Sequence, residues 1–411
     1  MYYTIINSCE HQLWGLSQQQ RISKTINKAS HLTQMPESAQ ARASEQILLL
    51  RADYLIEANV IKKLMQQHHA VLISSCDGLP AAVWTTLDNY TSALTLLQKQ
   101  TKADNFTPFT AQQLTGGYDP QLRKYDLSYV VRLTADNLSV LEQYLYDKSY
   151  KGITDLVTKW WWPTPARFVV KLCTQWRISP NSVTACGWIL TILAGYAFYL
   201  GAYSLGLVSA WLMTFLDTVD GKLARVSLQS SQLGHVMDHA LDIIHPPIWY
   251  WCWAIGLGVA DIEFIGLNVT LFEWGVVMLA AYVLGRVFEG LFQWWFVHAS
   301  IFCWTRLDSY HRLITARRNP SLIIMTLAVI LASPSAGFVG VVLLAVLSTA
   351  LLALRFVMGC LSVLTNRPIH SWLESIDIDA AEPDLAVKLF TGYNATRTIS
   401  SQLPRASQPS A

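Results

Sequence analysis

Four aspartates lie in an otherwise apolar stretch of the chain, where ionisable side chains are costly because they lose hydration. Asp217 and Asp220 are three residues apart and Asp238 and Asp242 are four apart, so each pair shares one face of a helix. Two such faces opposed would form a cage of carboxylate oxygens, the ligands that a hard divalent cation such as Mg²⁺ prefers. The full spacing is D-x2-D-G-x2-A-R-x8-G-x3-D-x3-D, with Gly221, Ala224, Arg225 and Gly234 at its other fixed positions. The pattern predicts a catalytic metal site.

The composition indicates an integral membrane protein, since 52% of the 411 residues are hydrophobic and only 14% are charged. Apolar segments long enough to cross a bilayer, which needs about 20 residues, begin only after residue 180. The sequence predicts six helical spans, at roughly 183–203, 205–221, 236–260, 272–297, 320–336 and 338–362. We therefore expect a polytopic α-helical membrane domain over 181–365 and a cytoplasmic tail, partly disordered, over 366–411.

Lys and Arg residues cluster in the loops on one side of the predicted spans and are absent from the opposite loops. Such a bias marks the cytoplasmic side. The residues concerned are Lys159, Arg167, Lys171, Arg177, Lys222, Arg225, Arg306, Arg312, Arg317, Arg318 and Arg367. We therefore expect both termini and the aspartate motif to face the cytoplasm, in a multi-pass protein of the cell inner membrane.

Residues 1–150 are more polar and contain no predicted span. The runs 47–50 and 70–73 are typical of buried parallel strands, and 58–67 is typical of a helix, which together predict a soluble α/β domain. Their order resembles a sugar-phosphate nucleotidyltransferase, and Asp53 matches that family's metal-binding aspartate. The segment 5–12 lacks the glycines that let backbone amides approach a triphosphate. The prediction is a degenerate nucleotidyltransferase-like domain that serves docking or regulation.

Residues 151–180 interleave aromatic and cationic side chains directly before the first predicted span. From Ala166 the pattern fits an amphipathic helix in the lipid headgroup layer, anchored by Trp and facing anionic lipid with its cations. The alternative is a helix packed against the soluble domain.

All eight fixed positions of the aspartate motif match the signature of the CDP-alcohol phosphotransferase (phosphatidyltransferase) family, and the chain is identified as a member of it. The residues 180–184 before the first span and the six-span layout also resemble that family. The whole chain is similar to fused inositol-phosphate cytidylyltransferase/CDP-alcohol phosphotransferase proteins. The resemblance implies that an alcohol hydroxyl attacks the β-phosphate of a CDP-linked donor, that CMP leaves, and that a phosphodiester of phospholipid synthesis forms.

The resemblance also implies roles for the motif residues. Asp217, Asp220 and Asp238 would bind Mg²⁺ or Mn²⁺, while Asp242 would be a metal ligand or the base that takes the hydroxyl proton. Nucleotide contacts would come from Asn181, Thr184, Gly221, Ala224, Arg225 and Gly234. Other interpretations stay open: the small residues also suit helix packing, Arg225 suits an ion pair with a motif aspartate, and residues 179–181 form an ordinary helix N-cap sequence.

Arg312, Arg317 and Arg318 are candidates for binding an acceptor phosphate or a lipid headgroup, although positive-inside topology alone would also explain them. The expected partners are a CDP-linked donor (CDP-diacylglycerol or a CDP-alcohol), an alcohol acceptor, membrane lipid and a second copy of the chain, with no nucleic acid. Two other classes of function are a cation- or proton-coupled transporter and a catalytically silent scaffold.

Overall fold

The computed structural model describes residues 1–35, 44–100, 105–119, 122–230, 232–296, 300–376 and 384–391. Within helix 232–256, the side chains of Leu233, His235, Asp238 and His239 are outside this description. The predicted disorder at the end of the tail concerns residues after 391, which are also outside it.

The N-terminal part folds as an α/β domain, as the sequence predicts. Its strands are β1 (Tyr2–Ile6), β2 (Gln12–Leu13), β3 (Leu16–Ser17), β4 (Thr33–Gln34), β5 (Gln46–Arg51), β6 (Tyr54–Leu55), β7 (Ala70–Ile73), β8 (Pro80–Thr86), β9 (Thr107–Thr110), β10 (Tyr118–Asp119), β11 (Lys124–Tyr125) and β12 (Val131–Arg132). Its helices are α1 (Gln18–Ala29), α2 (Ala58–Leu64), α3 (Tyr90–Lys99), α4 (Ala111–Thr115) and α5 (Leu138–Lys148).

The main sheet has the order β4-β1-β5-β8-β7-β9 and is mixed, because β8 runs antiparallel to both of its neighbours. The two predicted buried strands, β5 and β7, are present, but β8 separates them. Side chains 47–50 of β5 are completely buried and alternate between the faces of the sheet, where helices α1 and α2 cover one face and α3 covers the other. The sheet therefore has a hydrophobic core on each side.

The segment that follows α5 contains a π-helical turn (Val157–Trp161) and helix α6 (Pro163–Gln175). Ala166, Val170 and Cys173 of α6 are buried in a cluster with residues of both the N-terminal domain and helix 203–226. Phe168 and Trp176 remain 67% and 70% exposed. The buried face agrees with the packed interpretation of this segment. The interfacial position stays a prediction that the exposed aromatic face favours.

The C-terminal part consists mainly of helices: α7 (Pro180–Tyr199), α8 (Tyr203–Val226), α9 (Gln232–Gly256), α10 (Leu271–Trp295), α11 (Arg306–Ile314), α12 (Arg318–Ile330), α13 (Pro334–Leu364) and, after the membrane region, α14 (Leu385–Phe390). A hairpin that the sequence analysis did not predict, β13 (Asp261–Phe264) with β14 (Leu267–Thr270), connects α9 to α10.

Helices occur at all six predicted span positions, but the count of six spans is not confirmed. Among the described residues, α7, α10 and α13 are long and apolar enough to cross a bilayer, and the bent pair α11–α12 would make a fourth. Helix α12 has 13 residues, about 20 Å of helix, which is short for a core of about 30 Å. Helix α8 carries Asp217, Asp220, Lys222 and Arg225 in its last turns, so the motif itself lowers the apolar character of this helix.

Aromatic side chains fill the core of the membrane domain. Phe198, Trp249 and Trp253 are fully or almost fully buried and lie in ring-to-ring contact. Gly206 of α8 lies against Phe198 of α7, where a built Cβ atom would come within 2.3 Å of the ring. This close packing fixes α8 against α7 and α9, the helices that surround the aspartate motif.

Candidate active site

Asp220 is held by a residue of the neighbouring helix. Its carboxylate is buried, at 6% exposure, and its Oδ2 accepts a 2.6 Å hydrogen bond from Thr184 Oγ1 on α7. Thr184 lies in the first turns of α7, which Ser179 begins by accepting a hydrogen bond from the Ser182 amide at 3.1 Å. The structure therefore gives Thr184, a predicted nucleotide residue, a contact that orients a motif aspartate.

Asp217 and Asp242 are brought together by one arginine. Arg318, the first residue of α12, donates from Nη2 to Asp217 Oδ2 at 2.5 Å and from Nη1 to Asp242 Oδ1 at 3.0 Å. The Asp217 and Arg318 side chains are 16% and 14% exposed, whereas that of Asp242 is 49% exposed. The fork of donors on a guanidinium matches this bridging geometry. Aspartates from α8 and α9 thus contact one arginine at the start of a third helix.

The three arginines predicted to bind phosphate have different surroundings. Arg318 contacts the motif aspartates, because opposite charges at this separation attract each other strongly in a partly buried site. Arg317 forms an ion pair with Glu289, and Arg286 reaches the same carboxylate at 3.3 Å. In this structure two of the three guanidinium groups are therefore engaged by acidic side chains.

Arg312 differs from the other two arginines. It lies on α11 with its guanidinium carbon 5.3 Å from the centre of the Phe302 ring. Its Nε and Nη1 atoms are buried and have no hydrogen-bond partner among the described residues. Buried donors without partners are costly, which makes this side chain a candidate for binding an anionic ligand.

The remaining motif residues lie on the same helices. A Cβ atom built on Gly221 meets the Arg225 guanidinium at 3.5 Å, an ordinary contact, so internal packing alone does not require glycine at this position. Ala224 and Gly234 are half-buried, and Asn181 is exposed at the start of α7. One contact of Arg225 is with the Ser149 carbonyl oxygen, which accepts from Nη1 at 3.3 Å.

Carboxylates are the only metal-binding groups in the motif, and such a donor set fits a hard divalent cation. Among the side chains that the structure describes, no three acidic, histidine or cysteine groups converge on one point. The fourth aspartate, Asp238, has its backbone in α9 and its side chain outside the described part of the structure.

Two contacts that the sequence analysis did not predict join α8 and α12 to the segment 149–155. Lys222 is buried, donates to the Ser149 carbonyl oxygen at 3.3 Å and lies 3.6 Å from the centre of the Tyr150 ring. Burial raises the pKa of the Tyr150 hydroxyl to about 12, so the ring faces the Lys222 nitrogen as a neutral phenol. Beside Arg318, the Asn319 amide donates to Asp155 Oδ1 at 2.9 Å. No local sequence pattern signals these pairs.

Comparison with known proteins gives a family-model match to the C-terminal part and partial matches to curated proteins. A family model described as CDP-alcohol phosphatidyltransferase matches residues 177–365. Archaetidylinositol phosphate synthase from Pyrococcus horikoshii is 35% identical over 78 residues, which cover 19% of this chain and 42% of that protein. Cholinephosphotransferase 1 from Xenopus laevis is 28% identical over 125 residues, which cover 27% and 29%. The chain therefore spans less than half the length of these curated relatives.

Proposed function

We propose that this protein, whose residues 177–365 match the CDP-alcohol phosphatidyltransferase family model, is a membrane transferase that displaces CMP from a CDP-linked donor. The oxygen of an acceptor hydroxyl attacks the β-phosphorus, and the bond from that phosphorus to the CMP oxygen breaks. CMP leaves and a phosphodiester forms. The observation that carries the proposal is the convergence of Asp217 and Asp242, from two helices, on Arg318.

The family uses a divalent metal, and we propose that Asp217, Asp220 and Asp238 hold Mg²⁺ or Mn²⁺. Such an ion would neutralise the diphosphate and stabilise the leaving phosphate. Thr184 fixes the rotamer of Asp220 through their 2.6 Å hydrogen bond, which orients this carboxylate before the ligand arrives.

Asp242 is our candidate for the base that receives the acceptor's hydroxyl proton. It is the most exposed of the three motif aspartates whose side chains are described, which suits a group that must reach a substrate. Its Oδ1 is oriented by Arg318 at 3.0 Å. Gly221, Ala224, Arg225, Gly234 and Asn181 are proposed to line the nucleotide site; the room beside Gly221 supports this placement.

We further propose that the site faces the cytoplasm, on the basis of the Lys and Arg distribution, and that the membrane domain forms a homodimer. Donor and acceptor are open among three pairs that share this chemistry. These are CDP-diacylglycerol with a polar alcohol, a CDP-alcohol with diacylglycerol, and CDP-inositol with an inositol phosphate.

The test is CMP release by the purified full-length chain in detergent micelles with lipid. Each donor is supplied with its acceptors, in Mg²⁺ or in EDTA, and the product is identified by mass spectrometry. We expect Mg²⁺-dependent release that Asp238→Asn lowers by at least about a hundredfold, as for loss of a group that stabilises transition-state charge. The matched control is Asp261→Asn, on the exposed end of hairpin β13–β14. Undiminished activity of Asp238→Asn would contradict the metal assignment, and no CMP release with any pair would favour a transporter or scaffold.

A further inference from the structure

The segment 149–155 joins the N-terminal domain to the π-helical turn before α6, and most of it is buried. Its backbone is tightly held, because the Gly152 amide donates to the Leu122 carbonyl oxygen at 2.9 Å. A Cβ atom built on Gly152 would lie 2.4 Å from the Lys124 Cβ atom and 2.4 Å from the Phe390 carbonyl oxygen. Only glycine allows such a close approach of two chains. The surrounding chain therefore fixes the position of this segment.

One end of the segment holds α8. The Ser149 carbonyl group caps α5 and belongs to the last carbonyls of that helix, which lack partners within it. It accepts from Lys222 Nζ and Arg225 Nη1, each at 3.3 Å, and Lys222 Nζ also lies 3.6 Å from the centre of the Tyr150 ring. Lys222 follows Asp220 by two residues, about 200° around a helix, so the two side chains leave α8 on opposite sides. Since Asp220 is bonded to α7, α8 is held on both sides against rotation.

The other end of the segment holds α12. The buried Asn319, second residue of α12, donates from Nδ2 to Asp155 Oδ1 at 2.9 Å and to Thr158 Oγ1 at 3.1 Å. Asp155 is itself fixed, because its Oδ1 also accepts from the Thr158 amide at 3.0 Å. Asn319 directly follows Arg318, the residue that reaches Asp217 on α8. The segment therefore contacts both helices that supply this pair.

We propose that the segment 149–155 aligns α8 with α12, and that Lys222 and Asn319 are positioning residues for the motif carboxylates. This inference rests on the proposed function, since it states what aligns the same site. The 2.5 Å hydrogen bond from Arg318 to Asp217 forms only when the two helices are correctly placed, because hydrogen bonds weaken steeply with distance and angle. Lys222 and Asn319 act through this pair and not by touching the substrate.

The first measurement tests the alignment without metal, on the full-length protein in detergent micelles with EDTA. A double-mutant cycle of Arg318→Met with Asp217→Asn gives the coupling of this pair from free energies of unfolding. The cycle is repeated in the Lys222→Met and Asn319→Leu backgrounds. Both substitutions remove donor groups and keep much of the side-chain volume. A purely structural role would lower the total stability and leave the coupling unchanged.

The second measurement tests the metal site and the reaction. Binding of Mn²⁺ is followed by electron paramagnetic resonance, and CMP release is followed at saturating Mg²⁺. Tyr150→Phe and Tyr150→Leu form a matched pair, since only phenylalanine keeps an aromatic face against the Lys222 nitrogen. The control is Lys24→Met, which removes a hydrogen bond of the same 3.3 Å length, from α1 to the Ser227 carbonyl oxygen, and leaves the segment intact.

We expect the coupling between Arg318 and Asp217 to fall by at least about half in Lys222→Met and in Asn319→Leu. Mn²⁺ should bind about tenfold more weakly in Lys222→Met, and kcat should fall about ten- to a hundredfold in both variants, because groups that orient metal ligands have effects of this size. Both KM values should stay within about twofold. Tyr150→Phe should behave like the wild type, Tyr150→Leu like a milder Lys222→Met, and Lys24→Met should lower only the stability.

An unchanged coupling in both backgrounds would overturn the inference, and so would an equal loss of coupling in Lys24→Met. If Lys222→Met does not fold, Asn319→Leu and the two Tyr150 variants decide the same question. If the coupling and Mn²⁺ binding fall as expected but the wild type releases no CMP with any donor, the alignment stands and the proposed transferase function fails. If CMP is released at a kcat that Lys222→Met and Asn319→Leu leave unchanged, the function stands and the alignment fails.

Discussion

Replacing Arg318 by methionine removes the guanidinium that links Asp217 of α8 to Asp242 of α9 while keeping much of the side chain's volume. The two links differ in their surroundings. Asp217 is bonded at 2.5 Å and is 16% exposed, and Asp242 is bonded at 3.0 Å and is 49% exposed. A buried charge that loses its partner costs about 3–5 kcal/mol, whereas exposed pairs contribute about 0–1 kcal/mol. We therefore expect Arg318→Met to lower the free energy of unfolding by about 3 kcal/mol, mainly through Asp217.

Two double-mutant cycles separate the links. The first combines Arg318→Met with Asp217→Asn, and the second combines it with Asp242→Asn. Free energies of unfolding are measured by denaturant titration in mixed micelles with EDTA present, so that no divalent cation competes with the guanidinium. We expect a coupling of about 3 kcal/mol in the first cycle and below about 1 kcal/mol in the second.

Couplings of equal size, or a larger coupling to Asp242, would refute the reasoning that burial decides the strength of these bonds. Arg318→Lys is the control that keeps the positive charge but lacks the paired donor nitrogens of the guanidinium. Since an ammonium is a single point donor, this variant should keep part of the Asp217 coupling and lose most of the bridge to Asp242.

Three further predictions follow from single contacts. Thr184→Val should cost about 1.5–3 kcal/mol of unfolding free energy and weaken Mg²⁺-dependent activity, because Asp220 loses a 2.6 Å hydrogen bond; Thr184→Ser should behave like the wild type in the same assays. Gly221→Ala should not lower stability, since the added methyl reaches only Arg225 at 3.5 Å and alanine favours the helix, but it should raise the donor KM in CMP-release kinetics. Burial lowers the pKa of Lys159 from 10.5 to about 8, so the charged ammonium destabilises the folded state. This destabilisation disappears as the pH rises from about 8 to 10.5, because the unfolded state then binds more protons than the folded state. Unfolding titrations across that range should give a smaller pH slope for Lys159→Met, by at most about 1.4 kcal/mol per pH unit, and an unchanged slope would contradict the assignment.

The parts of the site that sequence predicted are those that depend on local periodicity. Asp217 and Asp220 occupy one helix at fixed spacing, and long apolar runs gave the positions of the surrounding helices. The contacts between helices were not predictable in this way. Arg318 lies about a hundred residues from Asp217, and its assignment to a phosphate followed from its charge and side of the membrane alone. Periodicity predicts on which face of a helix a side chain lies, but not which residues that face contacts. The anion that Arg318 contacts in the structure is the carboxylate of a motif aspartate, Asp217.

The number of membrane spans also could not be predicted from sequence patterns alone. Length and hydropathy identify a span only where the helix is uniformly apolar, and a catalytic helix must carry the charges that do the chemistry. Asp217 and Asp220 lower the hydropathy of helix α8, so its length and composition alone do not identify it as a span. Its place beside α7 depends on close contacts such as that of Gly206 with Phe198. The side chains at its polar end have partners on α7 and α12, but its last carbonyl groups still need hydrogen-bond donors from outside the helix.

The N-terminal domain supplies those partners. The last carbonyl groups of a helix have no acceptor role within it, and the helix dipole makes them attractive to cations. Arg21 of α1 is 4% exposed and donates to the carbonyl oxygen of Val226, the last residue of α8, at 2.8 Å, and Lys24 donates to that of Ser227 at 3.3 Å. Burial lowers the pKa of Arg21 to about 10, which still leaves it charged at neutral pH. Arg21 therefore binds the end of the helix that carries Asp217 and joins the N-terminal domain to that helix.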